Sequence, residues 1–223
     1  MGKLIDLSHT IRNGLVTYKG LPAPIVCDYL SRESSRQNYA EGTEFQIGRI
    51  DMVSNTGTYI DCPFHRYADG KDLNDVELHR FVDVPSVVVR VDHRERIEIG
   101  AADFAKVDVK GRAILVHTGW SEHWATEAYF ENHPFLTEEA ALALEERGAL
   151  LVGIDSHNID DTRTRNSRPV HTILLRREIL VVEHLRGLGQ LPSQGFSFSA
   201  VPPKIAGMGT FPVRAYARLP DSP

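Results

Sequence analysis

The sequence predicts an α/β fold, a compact layered arrangement of helices on a mixed sheet. Three observations carry this. Short β-branched or apolar runs recur along the chain, as in Val87–Val91 and Ile179–Val182, of a length and composition suited to buried strands. Helix signals lead straight into such runs, as helix–strand units do in layered folds. Elsewhere, apolar and polar residues alternate with period two, the mark of a strand with one wet face.

The elements follow in order. Leu4–Leu7 opens the chain as a strand ahead of a Ser-His-Thr turn. Phe45 and Ile47 alternate in one phase and Ile50 and Met52 in the other, so a bulge is expected at Gly48-Arg49. Val87–Val91, Arg112–Val116, Leu150–Ile154 and Ile179–Val182 read as buried strands. A helix covers Ala101–Lys106. Another starts at Thr137, an N-cap residue followed by Glu138 and Glu139, and stops at Gly148. A further helix spans Val170–Arg177. At the end Val213, Ala215, Ala217 and Leu219 alternate with Arg214, Tyr216 and Arg218.

Composition narrows the class of protein. The chain has 223 residues, an apolar fraction of 42% and a net charge of −5, values of an ordinary globular domain with no basic footprint for nucleic acid. No apolar run is long enough to cross a bilayer, and the first residues carry no secretory apolar core. The two cysteines, Cys27 and Cys62, lack the spacing of a disulfide framework and are expected to be small buried hydrophobes. The cytoplasm is the expected location. The proline-containing segments at Pro22–Pro24 and Pro202–Pro203 are too short for linkers, so one domain over residues 1–223 is expected.

The densest chemistry lies between Ser54 and His65. An amide (Asn55), two threonine hydroxyls, a phenol (Tyr59), a carboxylate (Asp61) and an imidazole (His65) fall within eleven residues. If the stretch is extended, Asn55, Gly57, Tyr59, Asp61, Pro63 and His65 project to one side. Thr56, Thr58, Ile60, Cys62 and Phe64 then form the core face.

This segment resembles the signature of the putative cyclase family, which includes bacterial kynurenine formamidases and isatin hydrolases. The signature has the form His-x-Gly-Thr-His-x-Asp-x-Pro-x-His. Gly57, Thr58, Asp61, Pro63 and His65 match it, and Asn55 and Tyr59 stand where it has histidines. Thr118-Gly119-Trp120, Leu151–Asp155, His171 followed twelve residues later by Glu183, and Pro212–Ala215 extend the resemblance over nearly the whole chain. It implies an α/β fold of the kynurenine formamidase type, a homo-oligomer (dimer or tetramer), a divalent metal, and hydrolysis of a small amide or lactone. In relatives the two missing histidines and the aspartate hold a metal. A neutral amide is a poor ligand and a phenol must first ionise, so that site is not expected here.

The resemblance carries the second half of the site onto Asp61, His65, His171 and Glu183, a set that suits zinc or manganese. Without a metal, His65 or His171 would act as general base while Tyr59 and Asn55 donate to a developing oxyanion. Three functions follow: a hydrolase of a small cyclic amide, lactone or formamide; a cyclase, dehydratase or isomerase working by metal-free acid–base chemistry; or a non-catalytic binder of small molecules. No nucleophile elbow, Walker loop, dinucleotide fingerprint or His-Glu-x-x-His motif is present.

Weaker candidates surround this core. The loop Asp155–Asp161 follows a strand and is rich in polar side chains, with Asp155 expected to be structural. Arg163, Arg165 and Arg168 read as a solvated basic loop or as a clamp for a substrate carboxylate. Trp120 suits either the pocket or the core. His117, His123 and His133 are expected to hold no metal.

Overall fold

The computed structural model describes residues 2–163 and 167–221; Arg165 lies outside them. In chain order the first strands are β1 (Leu4–Asp6), β2 (Ile25–Leu30), β3 (Ile47–Asp51), β4 (Tyr59–Asp61) and β5 (Val84–Arg90). They continue as β6 (Glu98–Ile99), β7 (Ala113–His117), β8 (Phe135–Leu136) and β9 (Leu151–Ile154). The last four are β10 (Leu180–Glu183), β11 (Gln194–Ser199), β12 (Thr210–Pro212) and β13 (Tyr216–Arg218). The helices are α1 (Arg32–Arg36), α2 (Ala101–Phe104), α3 (Glu138–Glu146) and α4 (Pro169–Arg176).

Nine strands form one mixed sheet in the order β1-β13-β11-β5-β7-β9-β10-β4-β12. The four at its centre, β5, β7, β9 and β10, run parallel. Antiparallel strands flank them on both sides. The central strands are the β-branched runs of the sequence, and their residues alternate between two separate cores. Val87, Ile114, Val152 and Val181 pack with Leu144, Val170, Leu174 and Leu175 of α3 and α4. Val88, Leu115, Leu151 and Val182 pack on the opposite face with Ile60, Leu185 and Phe198. Burial on both faces is what parallel strands require, and each enclosed leucine or valine contributes roughly 1.5–3 kcal/mol.

The helix signals are realised. Thr137 caps α3 by accepting from the Ala140 N–H. Helix α4 begins at Pro169, where the missing N–H costs nothing. Its cap comes from a distance: the Asp160 carboxylate accepts from Val170 N at 2.8 Å and His171 N at 3.1 Å.

Several expectations change. The final strand is confined to Tyr216–Arg218, because further upstream Ala215 bonds instead to Leu7 N and the Ser8 hydroxyl. The alternation itself holds, with Ala215 and Ala217 buried and Arg214 and Arg218 exposed. β3 pairs only with β2, and the register slips in β2, between Asp28 and Leu30, rather than within β3. Every residue of this ribbon is exposed except Leu30, which is half-buried. Cys27 lies on the ribbon and is exposed, whereas Cys62 is buried. The stretch Asn55–His65 is extended only over Tyr59–Asp61. Gly57 turns the chain before it with a positive φ of 68°, and a 3₁₀ turn, Pro63–His65, follows it. The core face is nevertheless as expected for Thr56, Thr58, Ile60 and Cys62, all buried.

Candidate active site

Strand register assembles the site. On β4, Tyr59 lies opposite Glu183 of β10, and Asp61 opposite Thr210 of β12. Tyr59 and Asp61 are two apart and so share a face, and their cross-strand partners join them there. The Tyr59 hydroxyl donates to Glu183 Oε2, and the Thr210 hydroxyl donates to Asp61 Oδ1. His65 enters from the 3₁₀ turn, where the backbone at residue 209 crosses so closely that a Cβ on Gly209 would sit 2.2 Å from His65 N. Only glycine fits there.

His65 Nδ1 lies 2.8 Å from Thr210 Oγ1. The threonine proton is already directed at Asp61, so His65 donates from Nδ1 and keeps its lone pair on Nε2. Its side chain is 35% exposed and faces the mouth of the site. His171, on α4, is buried. Its Nδ1 is 2.6 Å from Asp160 Oδ2, which leaves Nε2 3.6 Å from both Asp61 Oδ2 and Glu183 Oε1. Burial works against charge on this imidazole. The hydrogen bond to Asp160 and the neighbouring carboxylates of Asp61 and Glu183 outweigh it, and the pKa lies well above the usual value.

Glu183 is fully enclosed. Its Oε1 accepts from Ile159 N at 2.7 Å, and its Oε2 takes the Tyr59 hydroxyl, with Asn158 Nδ2 at 3.5 Å. Burial, reinforced by the Asp61 charge and opposed by His171 and these donors, pushes its pKa up to about 7. Burial and the nearby Glu183 charge push the Tyr59 phenol well above its ordinary range, so it stays protonated. Its O–H is committed to Glu183, because the register puts the two face to face, and is not offered to an oxyanion. Asn55 is half-buried in the pocket wall and accepts from Ser54 Oγ at 3.1 Å.

Asp61 Oδ2 is buried without a hydrogen-bond partner among the described residues, a costly state for a carboxylate oxygen. Ligand atoms of Asp61, His65 and His171 all lie within 4.8 Å of one another. Each histidine has its other ring nitrogen fixed by a polar partner, the arrangement that orients metal-binding imidazoles. These residues fit a divalent ion, and Glu183 stands beside the group through His171.

A pocket of about 340 Å³ opens over these residues. Tyr18, Asn158, Arg66 and Arg168 complete its polar wall, and Leu21 adds an apolar edge. Of the weaker candidates, Arg168 and Asn158 therefore reach the pocket. Arg163 pairs with Asp161 at 2.9 Å outside it. Asp155 is structural: it accepts from Thr118 N, Thr118 Oγ1 and Gly119 N. Trp120 is buried and donates to Tyr129 O. Asp160 and Thr210 were not identified individually from the sequence. Asp160 lay unmarked within the polar loop, and Thr210 has no local signal, since only strand pairing brings it to Asp61.

The family pattern described as putative cyclase matches residues 5–161. The chain is 30% identical over 186 residues to a kynurenine formamidase of Geobacillus thermodenitrificans, covering 82% of this chain and 85% of the relative. It is 28% identical to a kynurenine formamidase of Bacillus anthracis over 97% of both. Among solved structures, a potential metal-dependent hydrolase with cyclase activity superposes over the full length of both chains, with a TM-score of 0.80 and 25% identity. Isatin hydrolase A of Ralstonia solanacearum shares the fold, with a TM-score of 0.82 at 22% identity over 98% of this chain and 92% of its own. Matched across more than half its length by the family pattern and end to end by these relatives, the chain belongs to the putative cyclase family.

Proposed function

We propose that this chain is a hydrolase of amide-type carbon–nitrogen bonds, acting on a small formamide, cyclic amide or related lactone. One observation carries the reading: a buried carboxylate–imidazole cluster with an orphaned Asp61 oxygen, open to a pocket sized for a small molecule. Asp61, His65 and His171 would hold the divalent ion, which supplies Lewis acidity toward water and the substrate carbonyl. Thr210 and Asp160 hold the Nδ1 atoms of the two imidazoles, which leaves both Nε2 atoms for the ion. Glu183, lining the pocket and poised near neutrality, takes the proton of the attacking water at Oε1 and returns it to the leaving nitrogen. Tyr59 holds the other oxygen of that carboxylate in place. Arg66 and Arg168 suit a substrate that carries, or acquires on hydrolysis, a carboxylate.

The test is a panel of aryl formamides, small lactams and lactones, assayed with protein loaded with zinc or manganese. Hydrolysis of at least one class is expected, falling about 10²–10⁴-fold in Glu183→Gln. His171→Ala should lose the bound ion by elemental analysis. No hydrolysis across the panel, or full activity in Glu183→Gln, would overturn the assignment.

The proposal extends to assembly. The β2–β3 ribbon exposes Ile25, Tyr29, Ile47 and Ile50, and an isolated two-stranded ribbon is marginally stable in water; a second copy of the chain would cover it. No helix among the described residues is long and apolar enough to cross a membrane.

A further inference from the structure

We infer that His93, Glu122 and His123 form a second divalent-cation site, built from none of the active-site residues and suited to a zinc-like ion. His93 follows β5, and Glu122 and His123 lie on a 3₁₀ turn after β7, Trp120–His123. The sequence separates the two histidines widely; the parallel pairing of β5 with β7 brings them together.

The His93 ring is fixed before any ion arrives. Its backbone N–H and its Nδ1 both reach the Thr118 carbonyl, at 3.1 and 2.8 Å. Nδ1 therefore carries the proton and Nε2 the lone pair, and the side chain is only 7% exposed. From Nε2 the distance to Glu122 Oε1 is 3.3 Å, and His123 Nε2 lies 3.7 Å from the same oxygen. All three ligand atoms fall within 4.8 Å of one another. Zinc bonds of about 2.0–2.1 Å at tetrahedral angles place ligands about 3.3–3.4 Å apart, so the His93–Glu122 edge already has that spacing and the His123 edge needs a small closure.

The His93 Nε2 lone pair and Glu122 Oε1 are turned toward one point, where His123 Nε2 completes a set of three donors that a cation would draw together. Trp120 packs against both rings, with centroids 5.1 Å from His93 and 4.5 Å from His123, and is itself anchored through Nε1 to Tyr129 O. That wall restricts both imidazoles. Nitrogen donors favour zinc and its neighbours over magnesium or calcium. The outer face of Glu122 is exposed, leaving room for water at a fourth position. Such an ion would clip the segment after β5 to the turn after β7.

The experiment uses the full, untagged chain and zinc itself. Zinc per chain is measured by elemental analysis, and its affinity by competition with a chromophoric chelator, in wild type, Glu122→Gln, His93→Ala/His123→Ala and His171→Ala. Wild type should bind one zinc that His171→Ala retains. Glu122→Gln, at an exposed position, should weaken that zinc by at least about tenfold without changing the metal-free melting curve. The double variant should lose it. Unchanged zinc number and affinity in both the Glu122→Gln and the double variant would overturn the inference, as would a wild type whose only zinc disappears in His171→Ala.

Discussion

Asp160→Asn removes one negative charge from a fully buried position while keeping the shape of the side chain. Asp160 accepts three hydrogen bonds, from Val170 N at 2.8 Å, His171 N at 3.1 Å and His171 Nδ1 at 2.6 Å. An asparagine can keep its carbonyl oxygen on Val170 N, but its amide then points a donor at the two donors of His171. A charge-assisted hydrogen bond contributes about 1.5–3 kcal/mol, and a negative charge at a helix N-terminus about 0.3–1 kcal/mol. The expected loss is about 3 kcal/mol. With a urea dependence near 3 kcal/mol per molar for a chain of this size, the unfolding midpoint should fall by about 1 M. The His171 imidazole, held well above its ordinary pKa partly by Asp160, should titrate lower in the metal-free variant when followed by NMR. Affinity for zinc or manganese at the active site should drop about 10–100-fold. A midpoint shift below about 0.2 M together with an unchanged His171 titration would refute the assignment of Asp160 as the residue that positions His171.

Tyr59→Phe takes the hydroxyl donor from Glu183 Oε2 and leaves Asn158 at 3.5 Å. It should cost about 1–3 kcal/mol at pH 8 and less at pH 6, where protonation of Glu183 relieves the loss; equal losses at the two values would contradict this. The buried histidines make the fold acid-sensitive. Burial lowers His157 from 6.5 to about 3 and His184 well below its usual value, and His157 Nδ1 and His184 Nε2 have no hydrogen-bond partner among the described residues. The unfolded chain binds these protons first, so the contribution of these two histidines is full above about pH 6.5 and is lost as pH drops toward 3. His157 alone accounts for roughly 3 kcal/mol at pH 4.5, and the pH dependence of urea unfolding should flatten in His157→Phe. Ile50→Lys, on the exposed ribbon, should shift sedimentation toward a smaller species while sparing thermal stability of the monomer; an unchanged assembly state would remove the ribbon from the interface.

The sequence by itself determined the class of fold and most of the chemical inventory. The buried strands show because residues covered on both faces must be apolar, and α3 shows because Thr137 and Gly148 mark its ends locally. Asp61, His65, His171 and Glu183 were legible as types of residue at family-like spacing. Their partners were not. Thr210 and Asp160 act only through contacts made across strands or between a loop and a helix, 149 residues from Asp61 in the first case and 11 from His171 in the second. The fate of Tyr59 was equally hidden, since its hydroxyl is taken up by Glu183 only because β4 and β10 pair in that register. The exposed ribbon escaped for a related reason: its alternation of apolar residues reads as a half-buried strand, and nothing local says that neither face is covered within one chain. Local sequence sets backbone preference and side-chain chemistry, whereas register and packing decide which groups share a charge, a proton or an ion.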